Sequence, residues 1–122
     1  MTDKKTLVYL ACPYSHPDAE VRVWRFEQAN TTAARMMNNG IHVFSPISHT
    51  HPIVLAGDLP KGWEFWAAYD EAVLQYCARI VVLTLPGWED SIGIANELKI
   101  ARELDLPIDF QGPVEDTEGD ER

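Results

Sequence analysis

Two rhythms of apolar and polar positions alternate along the chain. Thr6–Ala11 (TLVYLA), Ile41–Ser45 (IHVFS), Arg79–Leu85 (RIVVLTL) and Leu106–Phe110 (LPIDF) are short apolar, β-branched runs that predict strands. Between them the apolar spacing changes to three and four. Asp18 predicts the cap of a helix reaching about Asn39, with Arg22, Phe26, Ala29, Ala33 and Met36 on its inward stripe and Gly40 as its stop. A loop is expected from Pro46 to Gly62, followed by a helix over Trp63–Cys77. Pro86 and Gly87 break the third strand, and Ser91 predicts the cap of a last helix ending near Leu104. Pro107 cannot donate to a ladder, which predicts that the final strand is an edge. The order β-α-β-α-β-α-β implies an α/β fold: an open, mostly parallel sheet of four to five strands with helices on both faces. Ligands of such sheets bind at the carboxyl ends of the strands, here Ala11–His16, Ser45–His51 and Pro86–Ser91.

Two acids break the pattern. At 100° per residue, Ile94, Leu98, Ile100, Ala101 and Leu104 form one apolar arc, and Glu97 points to its middle. Asp70 repeats the anomaly, surrounded at helical spacing by Trp66, Ala67, Val73 and Leu74, with Trp63 and Cys77 on the same side. A carboxylate facing a core is costly unless it is paired or has a task. The alternatives are a salt-bridged Glu at the stripe's edge and an Asp in a polar core network. Two such acids, on helices either side of one strand, suggest a pocket lined by paired carboxylates.

Composition narrows the partners. The chain of 122 residues is long enough for one core but not two, so residues 1–112 are read as a single domain and 113–122 as an acidic, disordered tail. A net charge of −9 argues against binding polymeric nucleic acid, which needs basic patches, but leaves room for a nucleotide held by a few donors. With no stretch apolar enough to span a bilayer and no signal-peptide pattern, no membrane contact and a cytoplasmic location are expected. Cys12 and Cys77 form no CxxC pattern and are read as buried free thiols.

Each remaining candidate has a functional and a plain reading. Tyr9 faces away from Val8 and Leu10, as a site residue or as core. Tyr14 and Ser15 end the first strand, as ligand contacts or as ordinary turn chemistry. Arg22 lies one turn into the first helix, meeting a phosphate or acid, or snorkelling. His49-x-His51, with His42 and Asp58 nearby, invites a metal, but no HExxH or cysteine cluster accompanies it. No metal is expected, and His49 is read as a substrate-contacting or lid residue, with a solvated loop histidine as the alternative. Ser91 and Gly93 at a helix N-terminus suit a phosphate, through free N–H groups and close backbone approach, or are a plain helix start.

Taken in order, Tyr9 in LVYLACPYS, Asp70 in WAAYDEAV, and Ser91, Gly93, Glu97 and Leu98 in SIGIANELKIA resemble the nucleoside 2-deoxyribosyltransferase superfamily. That superfamily includes the 2′-deoxynucleoside 5′-monophosphate N-glycosidases. The resemblance runs nearly the whole chain to Phe110. It implies a small flavodoxin-like (Rossmann-like) sheet, Glu97 as nucleophile, Asp70 as donor to the leaving base, Tyr9 holding Glu97, and no metal or organic cofactor. Where the nucleoside transferases carry Asp six residues before this Glu, the monophosphate branch carries Ser, which implies a 5′-phosphate at Ser91 and Gly93. Asp90 and Glu89 stand beside it. The chain departs from the family in Ala11-Cys12-Pro13, where a glycine-containing turn is usual, and in the Pro46–Gly62 segment. The implied activity is N-glycosidic cleavage of a (2′-deoxy)nucleoside 5′-monophosphate. Base exchange by a nucleoside 2-deoxyribosyltransferase and non-catalytic nucleotide sensing are the alternatives. A homodimer is expected from the resemblance alone.

Overall fold

A computed structural model describes residues 5–59 and 63–114. Four strands, β1 (Leu7–Ala11), β2 (Val43–Phe44), β3 (Cys77–Leu83) and β4 (Ile108–Gln111), pair in parallel in the order β2-β1-β3-β4. The connecting helices are α1 (Ala19–Asn38), α2 (Pro46–Gly57), α3 (Trp63–Leu74) and α4 (Ile92–Glu103), the last preceded by a 3-10 turn at Trp88–Asp90.

The period-two alternation of the strands divides the core in two. Val8, Leu10 and Cys12 point with Val81 and Leu83 towards Ala29 and Ala33 of α1. Tyr9, Ala11, Ile80 and Val82 point the other way, onto Leu74 of α3 and Ile94, Leu98, Ile100 and Ala101 of α4. Helices therefore cover both faces of the sheet. The chain leaves β1 towards β2 and leaves β3 towards β4, so a crevice opens between the loops that follow these two central strands.

Local chemistry sets the helix ends. The Asp18 carboxylate accepts from the Glu20 N–H at 2.9 Å, capping α1. At its other end Gly40, at φ +83°, lets the Ile41 and Gly40 N–H groups reach back to the Met36 and Met37 carbonyls, each at 3.0 Å. Both ends of α1 match the sequence reading, as does β4 as an edge, last in the strand order of the described residues and beside Pro107. Both cysteines are buried and free.

Five expectations are corrected. The Pro46–Gly62 segment is not a loop over most of its length. Ser45 accepts from the Ser48 N–H, Pro46 supplies a preset φ in the first turn, and α2 runs to Gly57 before Asp58 turns left-handed at φ 52°. Pro52 sits inside that helix without ending it. The helix expected over Trp63–Cys77 stops at Leu74, because Cys77 already pairs with Leu7 as the first residue of β3. β3 accordingly ends at Leu83 and not Leu85. Leu104 is the exposed C-cap of α4, outside the arc assigned to it. The sheet has four strands, with β2 only two residues long. Residues 60–62 of the expected loop and residues 115–122 of the expected acidic tail lie outside the described residues. Among those described, no helix is long and apolar enough to cross a membrane.

Candidate active site

Glu97 is one of the most deeply placed polar groups in the fold. It lies on the inward face of α4 at 6% exposure, where its neighbours on the stripe are Ile94, Leu98 and Ala101. Its partner is Tyr9, a fully buried β1 residue whose hydroxyl donates to Glu97 Oε2 at 2.5 Å. The half-buried Asp70 of α3 completes the group, close enough for charge and hydrogen bonding to act on both. Neither ion pair of the described residues, Arg79–Asp109 or Lys99–Glu103, involves these acids. A salt-bridged Glu at the edge of the stripe is therefore not the arrangement found.

Burial sets the proton inventory. It pushes Glu97 well above the usual carboxyl range, and the Asp70 charge pushes it further, while the Tyr9 hydroxyl opposes both. Asp70 is raised to about 6 by burial, against hydrogen bonding to Tyr9 and Glu97 that favours its charged form. Burial raises Tyr9 well above its ordinary value too, reinforced by Glu97 and then Asp70. Burial and like charge thus act together against joint ionisation of the two carboxyls, which favours a form with one proton between them.

The helix that carries Glu97 holds two further candidates in its first turn. The Ser91 hydroxyl accepts from the Ile94 N–H at 3.1 Å, so Ser91 is the N-cap, and its own hydroxyl hydrogen remains to donate. Gly93 precedes Glu97 by four residues, hence on the same helical face. A Cβ built on Gly93 would meet only the Ser91 hydroxyl, at 3.8 Å. No internal packing demands glycine there, and its absent side chain leaves bare backbone one helical turn before Glu97.

A family model for a domain of unknown function, DUF1937, matches residues 6–110. The chain belongs to the DUF1937 family. The matched span carries Tyr9, Asp70, Ser91, Gly93 and Glu97 together. No curated protein matches the chain.

Other candidates of this DUF1937 domain fall elsewhere. Tyr14 and His51 form a second group, with the Tyr14 hydroxyl 2.5 Å from His51 Nδ1 and Phe26 stacked on the imidazole at 4.3 Å. Burial, then the Arg22 charge, lowers the His51 pKa and favours a neutral ring. Arg22 is half-buried and donates to the His16 carbonyl. The deeply inward arginine is instead Arg25, whose guanidinium bridges the Ser15 carbonyl at 3.0 Å and the Pro86 carbonyl at 3.1 Å. Ser15 is exposed and contributes that carbonyl. Arg25 shares the i, i+4, i+8 stripe of Ala29 and Ala33, so the periodicity carried it as well as Arg22. Gly87, at φ +91°, is needed beside it, since a Cβ there would lie 2.9 Å from Arg25 Nη2.

His49 is exposed, its ring 5.7 Å from Phe44 and 6.1 Å from Tyr69. His42 lies at the opposite end of the sheet, 3.0 Å from the Thr6 hydroxyl. Among the described residues no group of three or more His, Cys, Asp or Glu is placed to hold a metal. A surface hollow of about 410 Å³ lined by Leu7, Met37, Gly40, Ile41, His42 and Val43 also lies at that far end, away from the carboxylates.

Proposed function

We propose that this domain cleaves the N-glycosidic bond of a nucleoside 5′-monophosphate through a glycosyl ester on Glu97. The observation that carries the reading is the buried Glu97 carboxyl, held by Tyr9 and set close to the second acid, Asp70. Attack needs an ionised carboxylate and departure of the base needs a proton, and a one-proton pair provides both in a single tautomer. Transfer of the proton from Glu97 to Asp70 makes Glu97 the nucleophile. Its oxygen bonds to the anomeric carbon as the C–N bond breaks, and Asp70 protonates the leaving nitrogen. Water, deprotonated by Asp70, then opens the ester and releases the sugar phosphate, and a second base in its place gives transfer. Tyr9 aims Glu97 and accepts no proton in either step.

The sheet order supports this reading, being that of flavodoxin-like folds, as does the resemblance to the nucleoside 2-deoxyribosyltransferase superfamily carried by Tyr9, Asp70, Ser91 and Glu97. Ser91 and the Gly93 N–H at the positive end of α4 are assigned to the 5′-phosphate. Tyr14, Ser15 and Arg22 at the rim of the β1 loop and His49 beyond β2 complete the substrate contacts, in a homodimer. The chemistry calls for no metal or organic cofactor. A second reading, nucleotide sensing without turnover, draws on burial, which raises the Glu97 pKa and disfavours the ionised nucleophile.

Incubation with a panel of matched nucleosides and 5′-monophosphates, followed by chromatography for free base, tests the assignment. Time-dependent release from monophosphates supports hydrolysis. Appearance of a new nucleoside on adding a second base supports transfer, and binding without release supports the sensor.

A further inference from the structure

A row of aromatic rings runs from the carboxylate pair to the surface. Tyr9, which holds Glu97, lies 6.1 Å from Phe44 of β2, Phe44 lies 5.7 Å from His49 of α2, and His49 lies 6.1 Å from Tyr69 of α3. Tyr69 continues to Trp66 at 5.9 Å. The row is fully buried at Tyr9 and open to solvent at His49 and Tyr69, the latter at 39% exposure. His49, Tyr69 and Trp66 belong to neither of the two core clusters, so packing of the sheet does not account for them. Asp70 follows Tyr69 in the chain and lies one turn beyond Trp66, which sets the acid at the inner end of the same wall.

The geometry points to this row as a stacking wall for the leaving group, one that accepts planar heterocycles broadly instead of selecting a single base. The inference rests on the glycosidic reading of the carboxylate pair and adds its selectivity. Neighbouring rings 5.7 and 6.1 Å apart leave no slot between them for another ring, and their tilts of 48° and 33° let a planar ligand stack on the face of one exposed ring with the next at its edge. Rings present π-faces, and every nucleobase has a π-face, whereas discrimination between bases needs a fixed set of donors and acceptors along the base edge. His49 and Tyr69, the exposed members of the row, both carry polar atoms, and neither is buried in a fixed set of donors and acceptors. Planarity, not edge pattern, is what such a wall reads.

Binding of free bases tests this without turnover. Calorimetric titration of the wild-type protein and of Glu97→Gln with adenine, cytosine, thymine and 5,6-dihydrothymine compares three planar rings with a puckered one. The three planar bases are expected to bind within about tenfold of one another, and dihydrothymine at least roughly tenfold more weakly than thymine. Tyr69→Ala and His49→Ala should each weaken planar-base binding by about tenfold, while Tyr69→Phe keeps the ring and the binding, and Trp24→Ala, an exposed aromatic outside the row, changes nothing. A preference above a hundredfold for one base, equal binding of thymine and dihydrothymine, no binding of any base, or wild-type affinity in Tyr69→Ala would each overturn the inference. Base binding without cleavage would leave the wall standing and remove the glycosidase reading, and cleavage unaffected by Tyr69→Ala would do the reverse.

Discussion

Tyr9 of β1 and Glu97 of α4 stand 88 residues apart in the chain and are joined by a 2.5 Å hydrogen bond in the core. The bond ties the central strand to the helix that carries the acid, and it opposes the rise in the Glu97 pKa caused by burial. Tyr9→Phe keeps the ring and deletes the donor. It is expected to cost about 1–3 kcal/mol of stability, because a buried carboxyl loses a partner. It should also lower kcat more than it raises KM, since Glu97 becomes harder to ionise and less well aimed. Thermal melts beside steady-state kinetics check both, and an unchanged kcat would make Tyr9 a packing residue.

The raised carboxyls predict the direction of the pH dependence of stability. Asp70, at about 6, and Glu97, higher, both exceed the unfolded carboxyl range near 4. Over that interval the native state binds more protons than the unfolded chain, so their contribution to stability is complete below about pH 4 and is lost as pH rises through the folded pKa values. Glu97→Gln resembles the protonated acid and escapes the later part of that loss. Denaturant unfolding at pH 5, 7 and 9 should show Glu97→Gln gaining on wild type as pH rises. A gap that stays constant with pH would mean that Glu97 titrates normally.

Activity should follow the one-proton form of the pair. Below about pH 6 the pair takes up its second proton, leaving no nucleophile, and at high pH both carboxyls ionise, leaving no acid. A bell-shaped profile of kcat/KM with its acid limb near 6 is expected. Asp70→Asn should abolish the bell and cut the rate most for bases that leave only when protonated. A flat profile in the wild type would separate the carboxyls from the chemistry.

Ser91 and Gly93 allow stability and binding to be moved in opposite directions. Ser91→Ala removes the cap on the Ile94 N–H and should cost about 1 kcal/mol of stability together with roughly tenfold in monophosphate affinity. Gly93→Ala meets only the Ser91 hydroxyl at 3.8 Å and should stabilise α4 by about 0.5–1 kcal/mol, yet its methyl group obstructs an anion approaching the helix end. Calorimetry with one nucleoside and its monophosphate, alongside melts, reads the two effects. A Gly93→Ala protein that is more stable and binds the monophosphate normally would move the phosphate elsewhere.

The parts legible from sequence were those in which a strong local pattern was broken by one residue. Apolar arcs interrupted by Glu97 and Asp70 turn both acids inward by periodicity alone, and the alternation of Val8, Tyr9 and Leu10 puts Tyr9 on the other face of the sheet, where Glu97 meets it. The parts missed depended on tertiary partners. Arg22 and Arg25 lie within about 60° on a helix, and only the Ser15 and Pro86 carbonyls, brought together by β1 and β3, draw Arg25 inward. The histidine and proline content of 46–57 masked a helix whose start signal, Ser45-Pro46, was present. The same segment offers His49 alone as a contact residue by sequence, whereas the partners Tyr14 and Phe26, which enclose His51, come from the loop after β1 and from α1 and are not visible in the local pattern.

The most direct test of the account is the rate of base release from a nucleoside 5′-monophosphate by wild type and by Glu97→Gln under identical conditions. Gln keeps the shape of the acid and cannot form the ester. The account predicts a folded variant whose release rate is lower by at least roughly a thousandfold. A Glu97→Gln protein that keeps more than about a tenth of the wild-type rate would contradict it.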